Sequence, residues 1–222
     1  MKIGVMSDTH GSLLYLEKAL DVLSDCDILL HNGDILYHGP RNDLPEGYNP
    51  KAVIEKLNNL NNITIAKGNC DADVDQMVIK HEIQAPFVHK QIDNISVLMD
   101  HGYSKSREEL LDQARELGVD ILILGHTHVK ELSVENDIIV LNPGSTAIPK
   151  DGSHSVATIE IINENGLDDE FEMEINLIDI NTKEVIEFDD CGCGCEDHNH
   201  GHEHHNHHNH GCEDGCGCHH HH

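Results

Sequence analysis

Five short clusters of metal-competent residues each follow an apolar run: Ser7-Asp8-Thr9-His10, His31-Asn32-Gly33-Asp34, Gly68-Asn69-Cys70-Asp71, Asp100-His101-Gly102 and Gly125-His126-Thr127-His128. Taken singly, each has an ordinary explanation. A histidine at a strand end is usually a hydrogen-bonded structural residue, and an aspartate there is usually a cap or turn former. Five clusters that mix imidazole, carboxylate and amide donors are hard to explain as independent caps. Residues two apart on extended backbone project the same way, so Asp8 and His10 can grip one ion, as can His126 and His128. Asp34, with two carboxylate oxygens, is the natural bridge between two ions. Glycines at 33, 68, 102 and 125 allow tight turns or close backbone approach to a ligand. Nitrogen donors beside carboxylate and amide oxygen suit Mn²⁺, Fe²⁺, Zn²⁺ or Ni²⁺ better than Ca²⁺.

The elements that position these clusters are legible. Lys2 to Met6, Asp27 to His31, Ile63 to Ala66 and Asp120 to Leu124 read as short buried strands. Leu13, Leu16, Leu20 and Leu23 recur at helical spacing behind a candidate N-cap, Ser12. Asn49-Pro50 opens a second helix with an apolar face of Val53, Ile54, Leu57 and Leu60. Ser106 to Leu117 is a third, with Glu108 and Glu109 in its first turn and Gly118 as its stop. Glu82 to His89 and Asn94 to Met99 are expected to be adjacent strands, and Val129–Val134 and Ile138–Leu141 a hairpin. Ser155–Ile162 and Glu170–Ile180 read as edge strands. The sum is βαβ units followed by a strand-rich half, an α/β or α+β layered domain. Ligands in α/β sheets bind beyond the carboxyl ends of strands, so the five clusters are expected to converge on one rim.

Composition narrows the function. The chain of 222 residues carries 41 acidic and 14 basic side chains, a formal charge of −27. Such a surface repels polyphosphate, which argues against nucleic-acid binding through basic patches. No apolar run approaches the roughly 18 residues of a membrane span, and the N-terminus has no apolar stretch of signal-peptide length, so the expected location is the cytoplasm. Residues 1–190 hold every Lys and Arg and a net charge of −22, enough chain for one full core. Residues 191–222 are different: they carry 12 of the 21 histidines and Cys191, Cys193, Cys195, Cys212, Cys216 and Cys218, with no aliphatic or aromatic residue. A segment of that composition cannot build a core, and its thiolates and imidazoles read as a sink for additional soft metals such as Zn, Ni or Cu. Its spacing matches no closed zinc finger. His219 to His222 read either as native or as part of a purification tag.

Asp8-x-His10, Gly33-Asp34, Gly68-Asn69, His101 and Gly125-His126-x-His128, in that order, resemble the signature of the calcineurin-like metallophosphoesterases. The stretch from His38 to Tyr48, then Gly68 to Asp71, Val74-Asp75-Gln76-Met77 and Asn142-Pro143-Gly144-Ser145, is similar to the small YfcE-type phosphodiesterases, over about residues 1–180. The resemblance implies a four-layer αββα sandwich and two divalent metal ions, Mn first, with Ni, Zn or Fe as alternatives. Carried over, it puts Asp8, His10, Asp34 and His128 on one ion and Asp34, Asn69, His101 and His126 on the other, with Asp34, Asn69 and His101 the catalytic set. Ions about 3.5–4 Å apart acidify a bridging water that attacks phosphorus in line. The implied partner is a small-molecule phosphodiester; oligomeric state is open, a homo-oligomer included.

Two positions depart from the wider family. Members that cleave monoesters often have histidine after Gly-Asn, as a general acid; here Cys70 stands there. A site without a strong acid favours substrates whose leaving group departs unaided, which agrees with a diesterase. Cys70 reads equally as a small buried hydrophobe. Asp71 orients a neighbour or caps a turn. Tyr103 stands where close relatives have a histidine. Two readings fit Arg41: a fork donor to a substrate phosphate, or a solvated or salt-bridged residue holding its loop. His38 and Asn42 share that ambiguity. A second class of function, metal storage or delivery through the tail, stands beside the hydrolase reading, as does a phosphomonoesterase of the same superfamily.

Overall fold

The computed structural model describes residues 1–162 and 172–187; the six tail cysteines lie outside the described residues. The chain runs β1 (Lys2–Met6), α1 (Leu13–Val22), β2 (Ile28–His31), α2 (Pro50–Asn58), β3 (Ile63–Ala66) and α3 (Asp73–Gln76). It continues through β4 (Ile83–Gln84), β5 (Val88–Ile92), β6 (Ile95–Met99), α4 (Arg107–Leu117) and β7 (Ile121–Ile123). Four strands finish it: β8 (Lys130–Glu135), β9 (Ile138–Pro143), β10 (Ser155–Ile162) and β11 (Glu172–Asp179).

Local chemistry sets the helix ends. Ser12 accepts a hydrogen bond from the Tyr15 N–H, and Asn49 caps α2 through the Ala52 N–H with Pro50 in its first turn. Ser106 and Glu109 close a capping box on α4, and Gly118 ends it in the left-handed conformation.

Two sheets form, ordered β11-β10-β1-β2-β3-β4 and β5-β6-β7-β9-β8. Their facing sides share one apolar core, with Ile3, Val5 and Leu30 from the first sheet against Val97, Ile121 and Leu141 from the second. Leu16, Ala19, Val53 and Leu57 of α1 and α2 cover the outer face of the first sheet, and Leu110, Leu111 and Ala114 of α4 cover that of the second. The result is the four-layer αββα arrangement. Among the described residues no helix is long and apolar enough to cross a membrane.

Two expectations need correction. Glu82–His89 is not one strand: Ile83–Gln84 joins the first sheet beside β3, and Val88 begins β5 in the second. Ala85-Pro86 lies between them, where proline cannot donate to a ladder. Ser155–Ile162 is not an edge strand either. It pairs with β1 on one side and β11 on the other, and its nearly continuous apolar run is buried, as an interior strand requires.

Candidate metal centre

The sheet directions bring the five clusters together. β1, β2 and β3 are mutually parallel in one sheet, and β6 and β7 are parallel in the other. Their carboxyl ends release Asp8 and His10, Asp34, Asn69, His101, and His126 and His128 to the same end of the sandwich. Five of the seven are buried: Asp8, His10, Asp34, His101 and His128. Asp8 Oδ1 lies 3.6 Å from His10 Nε2, 3.7 Å from His101 Nε2 and 3.2 Å from His128 Nε2. Asp34 Oδ2 lies 3.9 Å from His10 Nε2 and 3.4 Å from His101 Nε2. The other two sit on the open side, where His126 Nδ1 is 2.7 Å from Asn69 Oδ1.

The way these side chains meet differs from the extended Asp-x-His geometry expected from spacing. Asp8 (φ 56°), His10 (φ 43°), Asp34 (φ 57°), His126 (φ 66°) and His128 (φ 59°) are all left-handed. Each such non-glycine residue costs on the order of 1–3 kcal/mol and persists only where its surroundings over-determine it. Here they do. Asp8 N–H donates to Gly33 O, His10 N–H to Asp34 O and Gly11 N–H to Ile35 O, so the first two loops are zipped along their backbones. Ala147 N–H and the Ser145 hydroxyl both donate to the Asp8 carbonyl, tying in the segment after β9.

A carbonyl orients each of the three buried imidazoles among the candidate ligands. His10 Nδ1 donates to Tyr37 O (2.7 Å), His101 Nδ1 to Asn32 O (2.5 Å) and His128 Nδ1 to Ile148 O (2.6 Å). A carbonyl only accepts, so Nδ1 carries a proton in each and Nε2 faces the carboxylates, placed to bind a metal once it is deprotonated. His10 Nε2 and His128 Nε2 stand 3.1 Å apart. Asp8 Oδ1 and His101 Nε2 are buried yet have no hydrogen-bond partner among the described residues. Ligand atoms of Asp8, His10 and His128 cluster within 4.8 Å of one another, as do those of Asp8, Asp34 and His101, and of His10, Asp34 and Cys70. Nitrogen and carboxylate donors converging on orphaned atoms fit divalent cations.

The electrostatics agree. Burial opposes ionisation of Asp8, but His10, His101 and His128 outweigh it and hold its carboxyl well below the usual range. Burial disfavours a charged His101, yet Asp34 and Asp8 raise it to about 9. The cluster therefore seeks positive charge. His31, one position from Asn32, behaves otherwise: burial pushes it down to about 4, and its Nε2 meets the Thr9 hydroxyl at 2.9 Å, a structural role.

Asp71 positions the centre. Its carboxylate, buried, accepts from the N–H groups of Asp34 (2.9 Å), Ile35 (2.8 Å) and Gly68 (2.7 Å). Gly68 is required by close approach: a Cβ there would lie 2.2 Å from Asp34 Oδ1. Asn142 was not singled out on its own from sequence; its amide donates to Gly125 O and Thr127 Oγ1, bracing the His126–His128 turn. Ser7, whose hydroxyl holds Asp8 Oδ2 at 2.6 Å, was equally hidden. Both are small polar residues at strand ends, a pattern too common to flag alone.

A cavity of about 350 Å³ opens above the cluster, lined by His10, Asp34, Asn69, Cys70, His126 and His128 together with Gly39, Pro40, Arg41, Asn42 and Lys150. Arg41 lines it and makes no ion pair among the described residues. Asn42 instead holds the loop, its amide donating to His38 O at 2.8 Å. Burial and Asp34 push the Cys70 thiol up to about 12. Tyr103 is half-exposed, its ring 6.4 Å from that of His126 and 6.2 Å from that of His101. Lys150 was missed, although a basic residue is rare enough in this chain to have been a signal.

Residues 1–164 match the calcineurin-like phosphoesterase superfamily domain. Phosphodiesterase YfcE of Escherichia coli K12 is 40% identical over 158 residues, 69% of this chain and 83% of that protein. A phosphodiesterase of Methanocaldococcus jannaschii is 30% identical over 167 residues, 68% of this chain and 91% of its own. The solved structure of the E. coli phosphoesterase superposes with a TM-score of 0.70 at 32% identity, covering 84% of this chain and 97% of that one. Vps29 from Entamoeba histolytica, solved with Zn²⁺, shares the fold with a TM-score of 0.52 at 21% identity, over 82% of this chain and 100% of its own.

Proposed function

The chain belongs to the calcineurin-like phosphoesterase superfamily and is a hydrolase of phosphoester bonds, and from that premise we propose that it cleaves small phosphodiesters at a centre of two divalent ions. Asp8, His10, Asp34 and His128 would hold one ion and Asp34, Asn69, His101 and His126 the other, with Mn the first choice. The observation that carries this reading is the orphaned pair, Asp8 Oδ1 and His101 Nε2, buried at the convergence of the donors. When bound, the ions supply an acidified water for attack on phosphorus and neutralise the charge that develops there.

The protein's own contribution is position. The Nδ1 hydrogen bonds to Tyr37, Asn32 and Ile148 lock the imidazoles, and Asp71 locks the backbone that carries Asp34. Asn69 and His126, on the open side, line the cavity from which a phosphoryl group would enter. Cys70 occupies the place from which a general acid would protonate a departing alkoxide, and a thiol is poorly suited to that task. A diester with a good leaving group needs no such proton, and relatives named as phosphodiesterases support the same choice.

Rates on p-nitrophenyl mono- and diester substrates test it. We expect bis(p-nitrophenyl) phosphate to be preferred with Mn²⁺ present. A clear monoester preference would favour the phosphomonoesterase alternative. For residues 191–222 we propose an accessory role as a collector of soft metals, supported by their Cys and His content. A storage or delivery protein with an idle hydrolase domain is the competing reading, and hydrolytic turnover would exclude it.

A further inference from the structure

Positive charge is scarce in this molecule and most of it is committed. Eight of the 14 basic residues, Lys2, Lys56, Lys67, Lys105, Arg107, Arg115, Lys130 and Lys183, form ion pairs with carboxylates. Lys18 and Lys90 donate to Asn181 and Thr64. Among the described residues, that leaves the side chains of Arg41, Lys51, Lys80 and Lys150 paired with neither a carboxylate nor any other hydrogen-bond partner. Two of those four, Arg41 and Lys150, line the cavity over the metal centre.

Lys150 is held there by backbone tied to the site. Lys150 N–H donates to the carbonyl of His128 at 3.0 Å, while His128 Nδ1 donates to Ile148 O. Arg41 follows Gly39-Pro40, and Gly39 lies beside Cys70, where an added Cβ would be in ordinary contact with the thiol sulfur at 3.4 Å. The two cations therefore come from different segments, the loop after β2 and the loop after β9, and both line the same cavity.

A single diester phosphate carries one negative charge, which two divalent ions offset by themselves even after Asp8 and Asp34 are counted. Two further uncommitted cations exceed what that group requires. In a chain of net charge −27, cations left unpaired beside a cleft are best explained by a partner that is absent until substrate arrives. We propose that Arg41 and Lys150 form a second anion-binding position at the cavity mouth, so that the preferred substrate is a phosphodiester bearing a further phosphate or carboxylate. Arg41 supplies a planar fork for two oxygens of that group and Lys150 a compact point charge. This rests on the diesterase reading and specifies its substrate class.

The test uses full-length enzyme with Mn²⁺ and two substrates sharing one leaving group: thymidine 5′-(p-nitrophenyl phosphate) with and without a 3′-phosphate. The wild type should favour the 3′-phosphorylated compound in kcat/KM by about tenfold or more, the scale of hydrogen bonds to charged groups. In Lys150→Gln and Arg41→Gln the loss should be about tenfold greater on the 3′-phosphorylated substrate than on the plain one, carried by KM, and Lys150→Arg should restore most of it. Equal losses on both substrates, or a wild type indifferent to the 3′-phosphate, would overturn the second position while leaving the diesterase intact. Turnover of neither compound would sink the diesterase reading and this one with it.

Discussion

Replacing Asp71 with asparagine isolates the role of positioning, because Asp71 lies among the candidate ligands and its carboxylate is turned to backbone. In the native arrangement Oδ2 accepts from the Asp34 and Gly68 N–H groups and Oδ1 from Ile35 N–H. Asparagine can keep an oxygen on only one side. With that oxygen at the Oδ2 position, two charge-assisted bonds become neutral ones and the Ile35 N–H faces an amide N–H. Hydrogen bonds to charged groups contribute about 1.5–3 kcal/mol, neutral ones about 0.5–1.5, and a buried unsatisfied donor costs about 1–3. Part of the loss is recovered, since burial and the neighbouring Asp34 raise the Asp71 carboxyl above its ordinary value, a sign that ionising it there is costly. A net destabilisation of about 2–4 kcal/mol follows, which corresponds to a Tm lower by roughly 4–16 °C for a domain of this size. Asp34 N–H and Gly68 N–H lie on the segments that carry the proposed bridging carboxylate and Asn69, so metal affinity should also fall, by about 10–100-fold. Calorimetric melting of the metal-stripped protein and titration of Mn²⁺ against diesterase activity measure the two effects separately. Native Tm together with native metal affinity in Asp71→Asn would show that the three backbone bonds to Asp71 do not position the centre.

Other perturbations give sharp outcomes. Asp34→Asn should eliminate nearly all turnover while leaving the far-ultraviolet circular dichroism unchanged; wild-type rates would remove Asp34 from the bridging position. Because Asp34 and Asp8 raise His101 to about 9, its imidazole is protonated at neutral pH without metal and must lose that proton to bind one. Metal affinity should therefore rise between pH 6 and 9 with proton uptake by buffer, seen as a dependence of the calorimetric heat on buffer ionisation enthalpy; identical heats in all buffers would contradict it. A chain ending at Asp190 should keep most of its diesterase activity in saturating Mn²⁺ and bind fewer Zn²⁺ ions than the full chain. Abolished activity would mean that the tail serves the centre directly.

Much of this site is legible in the sequence because each donor group follows its own apolar strand. Met6, His31, Ala66, Met99 and Ile123 end the strands, and Asp8, Asp34, Asn69, His101 and His126 follow within three residues. Parallel pairing then makes convergence almost obligatory. What pattern could not convey was how the chain turns there. A pleated-strand argument places Asp8 and His10 together, yet the structure does it with left-handed backbone at both, held by Gly33 O and Asp34 O from a loop more than twenty residues away. Long-range hydrogen bonds of this kind leave no periodic trace. The same limit hid the roles of Asn142 and Ser7, and it left Asp71 undecided between cap and brace until its three backbone donors were seen. In the fold, Glu82–His89 was misread because alternation continues across Ala85-Pro86 while the strand changes sheets.

Phosphodiester hydrolysis by this protein is proposed to depend on divalent ions held by the buried Asp/His cluster. Initial rates on bis(p-nitrophenyl) phosphate, followed while Mn²⁺ is titrated into chelator-stripped full-length protein, test it most directly. Turnover should be absent at the start and should saturate after two ions per chain have bound at the centre. Undiminished hydrolysis in the stripped protein with chelator present would contradict it.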